Sequence, residues 1–536
     1  MTDPTGRAKP QSGEGTTMST AVMTRKMGNR RHHAILLAFL LGIVPAQAED
    51  TARIQGVKIV KQYVRAVGGA HALSQVRTLS VEGSVTGMGE GDSGTYTLDT
   101  KFPDRYYSEL NVRGKSFIEA YNGKSAWHRD ASGNFATMLS PDSVGMQTKA
   151  QIANTRLLDL KKNKFTATFL GQAPVGGKDA LHVELSTDAG TKQEFFFDPQ
   201  THLPLKESDT IGGVTEEILY HDYRPESGVQ FARQLELHRG PDTYAVKITN
   251  VTVNGRIGER VFDLPFESQV KLPDLKALFK EIEDNQKAID KAEENYAGTS
   301  TEEETEYDGD GKVEKRTVTE STFFYFDGEE IDTIVKKNGQ PLSAADEKKE
   351  KQKAQKHLEE VKKDQAKKDA KEEKDKAQGK SENDKDKIGI AMFLRSCEFV
   401  NPRRERYRGQ DVLAFDFEGN PDYKPHNLVE RVVQKFVGTI WVDEKAHDVA
   451  RLEGHFAGDA KIALGLLASV QKGTGFVIEQ EFVNNEVWLP TYQEGQIGAR
   501  VLLMKGYRIR DVTHYSDYKK LPVAPLSAKS PPIPRK

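Results

Sequence analysis

Apolar and polar positions divide this chain into strand-length runs that are introduced, twice, by a helix. Ile54, Val57, Val60, Val64 and Val67 recur at helical spacing and stop at Gly68-Gly69, which predicts an amphipathic helix with a glycine stop. Beyond it, segments of period two are separated by Gly, Asn, Asp and Pro turns, the pattern of strands. Leu181, Val183 and Leu185 lie on one face and His182 and Glu184 on the other; the next strand ends at Phe195-Phe196-Phe197 and turns at Asp198-Pro199. One further helix is expected between Asp142 and Leu160, and this unit closes with VKITNVTVNGRIGERVFDLP at Pro265. A second amphipathic helix begins at Pro273-Asp274, with Leu275, Leu278, Phe279, Ile282 and Ile289 on one face. Strands follow again, from Arg316 to Tyr325 and, after a turn at Asp327-Gly328, from Ile331 to Lys337.

The two halves share punctuation in the same order. Tyr121-Asn122-Gly123 matches Phe326-Asp327-Gly328, and the segment from Gly177 to Leu181 matches that from Gly409 to Leu413. Asp198, His202, Lys206 and Glu207 match Asp443, His447, Arg451 and Glu453, while Gly228-Val229 finds a weaker echo in Val487 to Pro490. Any one pair is what hairpins produce by chance, but four in order predict a duplicated domain. The boundaries expected are residues 49–268 and 269–524. The second copy carries an insert, Ser343 to Lys387, composed almost wholly of Lys, Glu, Asp, Ala and Gln. Its apolar content is too low to order it on a core, so its first part, through Val361, is expected as a solvated helix held by Glu–Lys pairs and the rest as disordered. The tail from Pro522, Pro-rich over 525–536, reads as an extended terminus.

The N-terminus changes the picture of where the protein works. Arg25, Lys26, Arg30 and Arg31 precede an apolar run from Ala34 to Pro45, and Ala46-Gln47-Ala48 offers a small-x-small cleavage site before Glu49. This is the order of a secretory signal peptide, and the run is too short to cross a hydrocarbon layer of ~30 Å. The expected mature chain is soluble and periplasmic, cleaved after Ala48, with Met18, Met23 and Met27 as alternative starts. Among 536 residues the net charge is −3, which leaves no electrostatic footprint for nucleic acid. The one cysteine, Cys397, excludes an intramolecular disulfide and reads as a buried thiol among apolar neighbours.

No catalytic constellation survives its context. Gly91-Asp92-Ser93-Gly94 spells a serine-protease nucleophile motif, but too few residues precede it for the barrel that such a motif needs, and its flanks alternate like a hairpin. Asp308-Gly309-Asp310-Gly311 fails as a calcium loop, because Thr317 falls where the bidentate glutamate belongs. The thirteen histidines form no HExxH pair; His202 and His447 read as turn residues, and no glycine-rich phosphate loop opens a helix. Carboxylates are plentiful, yet nothing singles out a glycosidase pair. No catalytic residue, cofactor or metal is expected.

Particular segments nonetheless have a familiar form. KFPDRYYSEL (Lys101–Leu110), AYNGKSAW (Ala120–Trp127), FFFDPQTHLPLK (Phe195–Lys206), YHDYRPESGVQF (Tyr220–Phe231) and VTVNGRIGERVFDLP (Val251–Pro265) carry it in the first half. In the second half it lies in GTIWVDEKAHDVARLEG (Gly438–Gly454) and NNEVWLP (Asn484–Pro490). On these segments the chain resembles the periplasmic lipoprotein carriers of the LolA type and the outer-membrane lipoprotein-sorting proteins related to them. The resemblance implies a mainly β fold with α: two tandem, incomplete, half-open antiparallel β-barrels, each curled around helices. It also implies a non-catalytic carrier or chaperone whose concave face holds lipid or lipoprotein acyl chains and which meets inner- or outer-membrane envelope proteins peripherally. Alternation in the second copy supplies candidate lining, with Leu413, Phe415 and Phe417 on one face and Phe476, Ile478 and Phe482 on another. The apolar stretch from Ile462 to Val470 reads as a flap over that cavity or as one more core element. The competing reading is an envelope scaffold or stress-sensor module that binds a protein on the same fold without lipid.

Overall fold

The computed structural model describes residues 44–87, 93–130, 132–187, 189–265, 273–308, 313–377, 390–456, 460–462, 468–470, 474–484, 486–501 and 507–521. The charged and apolar parts of the N-terminal signal segment, the Gly91-Asp92 and Gly309-Gly311 turns, the end of the charged insert, the middle of the Ile462–Val470 stretch and the Pro-rich tail lie outside them.

The first helix stops where the glycines require it. Helix α1 (Val44–Ala66) gives way to α2 (Gly69–Gln75), and Gly68 and Gly69 between them hold φ of 136° and 85°. A Cβ on Gly68 would fall 2.4 Å from the carbonyl oxygen of Gly228, so backbone meets backbone there. Six strands follow: β1 (Thr78–Thr86), β2 (Gly94–Lys101), β3 (Arg105–Val112), β4 (Lys115–Tyr121), β5 (Ala126–Arg129) and β6 (Phe135–Thr137). Helix α3 (Asp142–Thr155) then leads to β7 (Phe165–Val175), β8 (Lys178–Thr187), β9 (Lys192–Phe197) and β10 (Pro204–Ile211). Strands β11 (Val214–Glu226), β12 (Val229–Arg239) and β13 (Asp242–Val253) complete the set.

All thirteen form one sheet in the order β6-β5-β4-β3-β2-β1-β13-β12-β11-β10-β9-β8-β7, with every neighbouring pair antiparallel. The chain thus runs outward from β1 to one edge, crosses on α3, and returns from the other edge until β13 pairs with β1. Edges β6 and β7 do not pair with each other, so the sheet is a half-open barrel and α3 is the link between its rims. Inside, Ile59 and Val60 of α1 pack on Phe165, Val183, Phe195 and Phe197, while Leu73 of α2 joins Leu79, Val81, Val246 and Ile248.

The second half repeats this path. Helix α4 (Leu275–Ala292) starts at Asp274, whose carboxylate accepts from the backbone N–H groups of Lys276 and Ala277. Strands β14 (Tyr296–Tyr307), β15 (Val313–Phe326), β16 (Glu329–Lys337) and β17 (Gln340–Pro341) run to one edge. Helices α5 (Ala344–Ala377) and α6 (Ile390–Ser396) intervene before β18 (Cys397–Tyr407) and β19 (Gln410–Gly419). Helix α7 (Leu428–Val433), β20 (Phe436–Asp443) and β21 (Val449–Phe456) come next, then the short pair β22 (Ala460–Ile462) and β23 (Ala468–Val470). Strands β24 (Gly475–Val483), β25 (Val487–Val501) and β26 (Tyr507–Lys520) close the chain back onto β14. The order β17-β16-β15-β14-β26-β25-β24-β21-β20-β19-β18 again joins the first strand to the last and leaves both edges unpaired with each other.

Local details coincide at matching places. The turns between β9 and β10 and between β20 and β21 each place a histidine at positive φ, His202 at 59° and His447 at 56°. In each, an aspartate four residues earlier caps two backbone N–H groups, Asp198 those of Gln200 and Thr201, Asp443 those of Lys445 and Ala446. Just beyond, Lys206 lies 4.4 Å over Phe196 and Arg451 lies 5.7 Å over Trp441, each across the same strand pair. The Asn122-Gly123 and Asp327-Gly328 turns differ: the first joins β4 to β5, the second β15 to β16, which hold different places in their sheets. Any tight hairpin asks for such a pair, and this one carried no register.

The charged insert is helical as far as Ala377. Lys–Glu pairs such as Lys351–Glu347 and Lys356–Glu360 support it, but it is not wholly solvated. Leu358 and Val361 are buried against Ile331 of β16, an apolar stripe that the surrounding lysines and glutamates obscure in the sequence.

The rim of the first sheet rests on the outer face of the second. Asp416 is fully buried there and accepts from the Asn122 side chain at 2.9 Å, from Asn401 at 3.0 Å and from Arg403 at 2.9 Å. Burial opposes its ionisation, yet Arg403 and these donors hold its carboxyl below the usual value. Glu405 accepts from the backbone N–H of Thr137, and Tyr121 meets His455 at 3.0 Å. On the inner face, a Cβ on Gly454 would lie 2.8 Å from the ring of Phe417 and 2.9 Å from that of Phe476. Gly454→Val is therefore expected to overpack this face and lower stability by about 1–3 kcal/mol in urea unfolding, while Val449→Ile at the strand's start costs less.

Candidate functional site

Curling the first sheet brings β4 across from β10, β11 and β12, and alternation turns charged side chains of each inward. Glu119 shares the inner face of β4 with Phe117 and Tyr121; Asp209 pairs with Glu216 across the β10–β11 ladder; Arg239 ends β12. Helix α3 adds Lys149 from above. The Lys149 Nζ lies 2.7 Å from Glu216, 3.3 Å from Asp209 and 3.4 Å from Glu119. Arg239 donates to Glu216 at 2.9 Å and also to Glu119, so the two wings of the sheet are tied across the bore. These side chains retain little exposure, 7% for Lys149 and 10–12% for the three carboxylates.

Such burial separates the carboxyls chemically. Burial alone would raise Glu119, but Lys149 and Arg239 bring its pKa down to about 2. Asp209 is pushed up to about 6 by burial, with Lys149 opposing and Glu216 and Glu119 reinforcing the shift. Deeper along β10, burial pushes Glu207 up to about 7; a hydrogen bond with Tyr220 opposes this and the Asp209 charge adds to it. Lys149 itself is held well above its ordinary value, because Asp209, Glu216 and Glu119 outweigh its desolvation. A cavity of about 20 Å³, room for one water, lies beside the cluster between Tyr96, Ser108, Glu119, Glu216 and Arg239.

Helix α3 is attached largely by polar groups. Of its buried residues Met146, Ala150 and Ile152 are apolar, while Thr148, Lys149, Gln151 and Asn154 are not. Asn154 donates to the carbonyl of Arg105 at 2.8 Å, and Thr148 meets Thr191 at 2.8 Å. At the helix start, Ser140 and Ser143 donate to Glu453 of the second sheet at 3.2 and 3.3 Å. Beneath, Tyr106, Tyr121, Ala126 and Met138 form an apolar floor with Met146 and Ala150.

None of the cluster was singled out as a site from the sequence, although Glu207 appeared there as part of a repeated turn. Glu207 and Asp209 stand two apart in a strand, the spacing of one face, but Lys206 and Glu217 charge the opposite face equally and pair with each other at 2.8 Å. What separates inside from outside is the curl that brings β4 over β11, and no local pattern encodes it.

The candidate lining of the second sheet is gathered on one side and covered by the chain's own helices. Leu413, Phe415, Phe417 and Phe476 are buried. Phe415 packs on Phe279 of α4 at 5.0 Å, Phe417 on Phe393 of α6 at 5.6 Å, and Phe393 on Phe476 at 4.9 Å. Ile478 is half-buried, and Phe482, at the strand's end beside Trp488, is 47% exposed. Cys397 is buried as expected, and burial pushes its thiol up to about 12. A second cleft of about 300 Å³ lies on the outer face of the first sheet against Glu82, Asp99, Asn250 and Arg256. Among the described residues, no group of three or more His, Cys, Asp or Glu is placed to hold a metal ion, and no helix is long and apolar enough to cross a membrane.

No family model matches the chain, and no curated protein matches it. Among solved structures it is similar to a putative outer membrane lipoprotein-sorting protein domain from Vibrio parahaemolyticus, at 14% identity over 39% of this chain and 97% of that one, with a TM-score of 0.27. A LolA superfamily protein from Nitrosomonas europaea is similar at 10% identity, also over 39% and 97%, with a TM-score of 0.26. The MucA/MucB complex of Pseudomonas aeruginosa is similar at 10% identity over 87% of this chain and 99% of that one, with a TM-score of 0.18.

Removing the Lys149 charge tests whether it holds the cluster together. Lys149→Met leaves three carboxylates sharing only Arg239 and is expected to cost about 3–5 kcal/mol in chemical unfolding, whereas Lys149→Arg retains most of the stability. Equal stability of the two variants would contradict this.

Proposed function

We propose that this chain is a non-catalytic envelope protein that carries lipid or lipoprotein acyl chains beneath helix α3, in the half-open bore of its first sheet. The observation that carries this reading is the attachment of α3. Four of the seven buried side chains of α3 are polar, so lifting it parts only a short apolar seam, Met146, Ala150 and Ile152, together with ion pairs and hydrogen bonds that water can replace. What it uncovers is the apolar floor of Tyr106, Tyr121 and Met138 and the valine- and leucine-rich wall behind it. An acyl chain of ~15 methylenes gains ~12 kcal/mol from burial at ~0.8 each, enough to exceed the ~4 kcal/mol or more that association costs.

We place the ligand in the first sheet rather than on the lining anticipated in the second: helices of the chain fill part of both interiors, and the polar side chains under α3 favour the first. In this reading the chain is exported, cleaved after Ala48 and periplasmic, and built from two copies of one unit, residues 49–268 and 269–524. The shared strand order and the matched Asp–His turns support the duplication. Donor and acceptor would be envelope proteins or membranes met peripherally. The filled interior of the second sheet favours a second reading for that half, a scaffold that binds a protein partner without lipid.

The two readings separate in one preparation. The chain from Glu49 onward, purified without detergent, is extracted and its lipid weighed by mass spectrometry. The carrier reading expects about one acyl ligand per chain, or uptake of added fatty acid in that ratio. A lipid-free protein that also fails to take up fatty acid contradicts it and leaves the scaffold.

A further inference from the structure

The charged cluster contains more acid than base. Lys149 from α3 contacts Glu119, Asp209 and Glu216, Arg239 from β12 contacts Glu119 and Glu216, and Glu207 lies one step along β10, hydrogen-bonded to Tyr220. When all are ionised, the bore holds uncompensated negative charge on carboxylates such as Glu119, Asp209 and Glu216, which are only 10–12% exposed. Lys149 cannot neutralise it, because Glu216 at 2.7 Å and Glu119 at 3.4 Å already share the ammonium that Asp209 meets at 3.3 Å. Lifting α3 would let water reach these carboxylates.

We propose that the cluster is a proton-operated latch on helix α3: protons taken up by its surplus carboxylates hold the helix down over the bore, and their loss frees it. This rests on the reading of α3 as the gate of the ligand site.

The direction follows from which state binds more protons. With α3 down, Asp209 and Glu207 ionise only near 6 and 7, above their ordinary values, because burial outweighs the attraction of Lys149. With α3 lifted and water admitted, both return toward the ordinary carboxylate value near ~4. The closed state therefore holds more protons between those limits; its advantage is complete in acid and is lost as pH rises through about 6 to 7. Glu119 works in the opposite sense, but with its pKa at about 2 it changes nothing in that window.

The other groups facing the pair keep one charge state there. Tyr63 of α1, Tyr96 of β2 and Tyr106 of β3 are all raised by burial and stay neutral. Tyr220 and Tyr223 of β11 are raised likewise. Arg156, just after α3, is lowered by burial only to about 10 and remains a cation, as does Arg239.

Hydrogen exchange of the full mature chain, without ligand, tests the latch. Opening of the α3 amides, corrected for the intrinsic pH dependence of exchange, is expected to rise about tenfold or more from about pH 5.5 to about pH 8, while strand β20 keeps its protection. In the double variant Asp209→Asn, Glu207→Gln, the same amides should stay at the acid level at both pH values. Should that variant not fold, Glu207→Gln alone is expected to reduce the pH response severalfold. An α3 whose opening is independent of pH, or faster in acid, overturns the proposal, as does a full response surviving in the variants. Because no ligand is present, a failed latch leaves the carrier reading standing, and lipid-free protein with an intact pH response counts against the carrier alone.

Discussion

Two strand edges that do not pair with each other, β6 and β7, set the terms for the rest of the first sheet. A thirteen-stranded antiparallel sheet that curls but does not close has an open side, and the chain must cover its apolar interior there with whatever connects the rims. The connector is α3, whose underside sets Thr148, Lys149, Gln151 and Asn154 among Met146, Ala150 and Ile152, so ion pairs and hydrogen bonds hold it together with apolar contact. A buried ammonium needs carboxylates, and carboxylates from both wings then draw the wings together through Arg239. The same ions that hold the helix therefore also set the width of the bore. An apolar plug would have been firmer, since replacing a buried ion pair by well-packed hydrophobic residues is often neutral or stabilising.

The second sheet solves the same problem differently. Its interior is filled by aromatic rings from α4 and α6, and Gly454 leaves the space into which Phe417 and Phe476 fit. Its outer face is closed as well, against the rim of the first sheet around Asp416. Glu453 joins the two halves at the start of α3, where Ser140 and Ser143 donate to it. Glu453 thus links the start of α3 to Arg451, which pairs with it at 2.7 Å. On the proposed carrier reading, the first sheet is an adjustable container and the second its support.

Much of this architecture was legible in the residues. Helical spacing placed the cores of α1 and α4, and the Gly68-Gly69 stop is visible because only backbone freedom explains a glycine pair there. The Asp–x–x–x–His turns were readable because the side-chain caps and positive φ they need are local. Helix α5 was half legible: its ion pairs follow from spacing, but the docking of Leu358 and Val361 depends on where β16 lies. The ionic cluster was not legible as a site. Its members come from residues 119, 149, 209, 216 and 239, and only the curl of the sheet assembles them. The candidate lining in the second copy was placed on a common face, but alternation cannot say whether a ligand or a helix from elsewhere in the chain covers that face.

On the carrier reading ligand enters by way of α3, so tethering that helix should block entry. A Cβ on Gly145 of α3 would sit 3.2 Å from the side chain of Ile211 at the end of β10, so Gly145→Cys with Ile211→Cys places two thiols across the gap. Uptake of a fluorescent fatty acid is then measured with the tether oxidised and reduced. Uptake is expected to be lost on oxidation and restored by reductant. Undiminished uptake with the tether closed would contradict that reading.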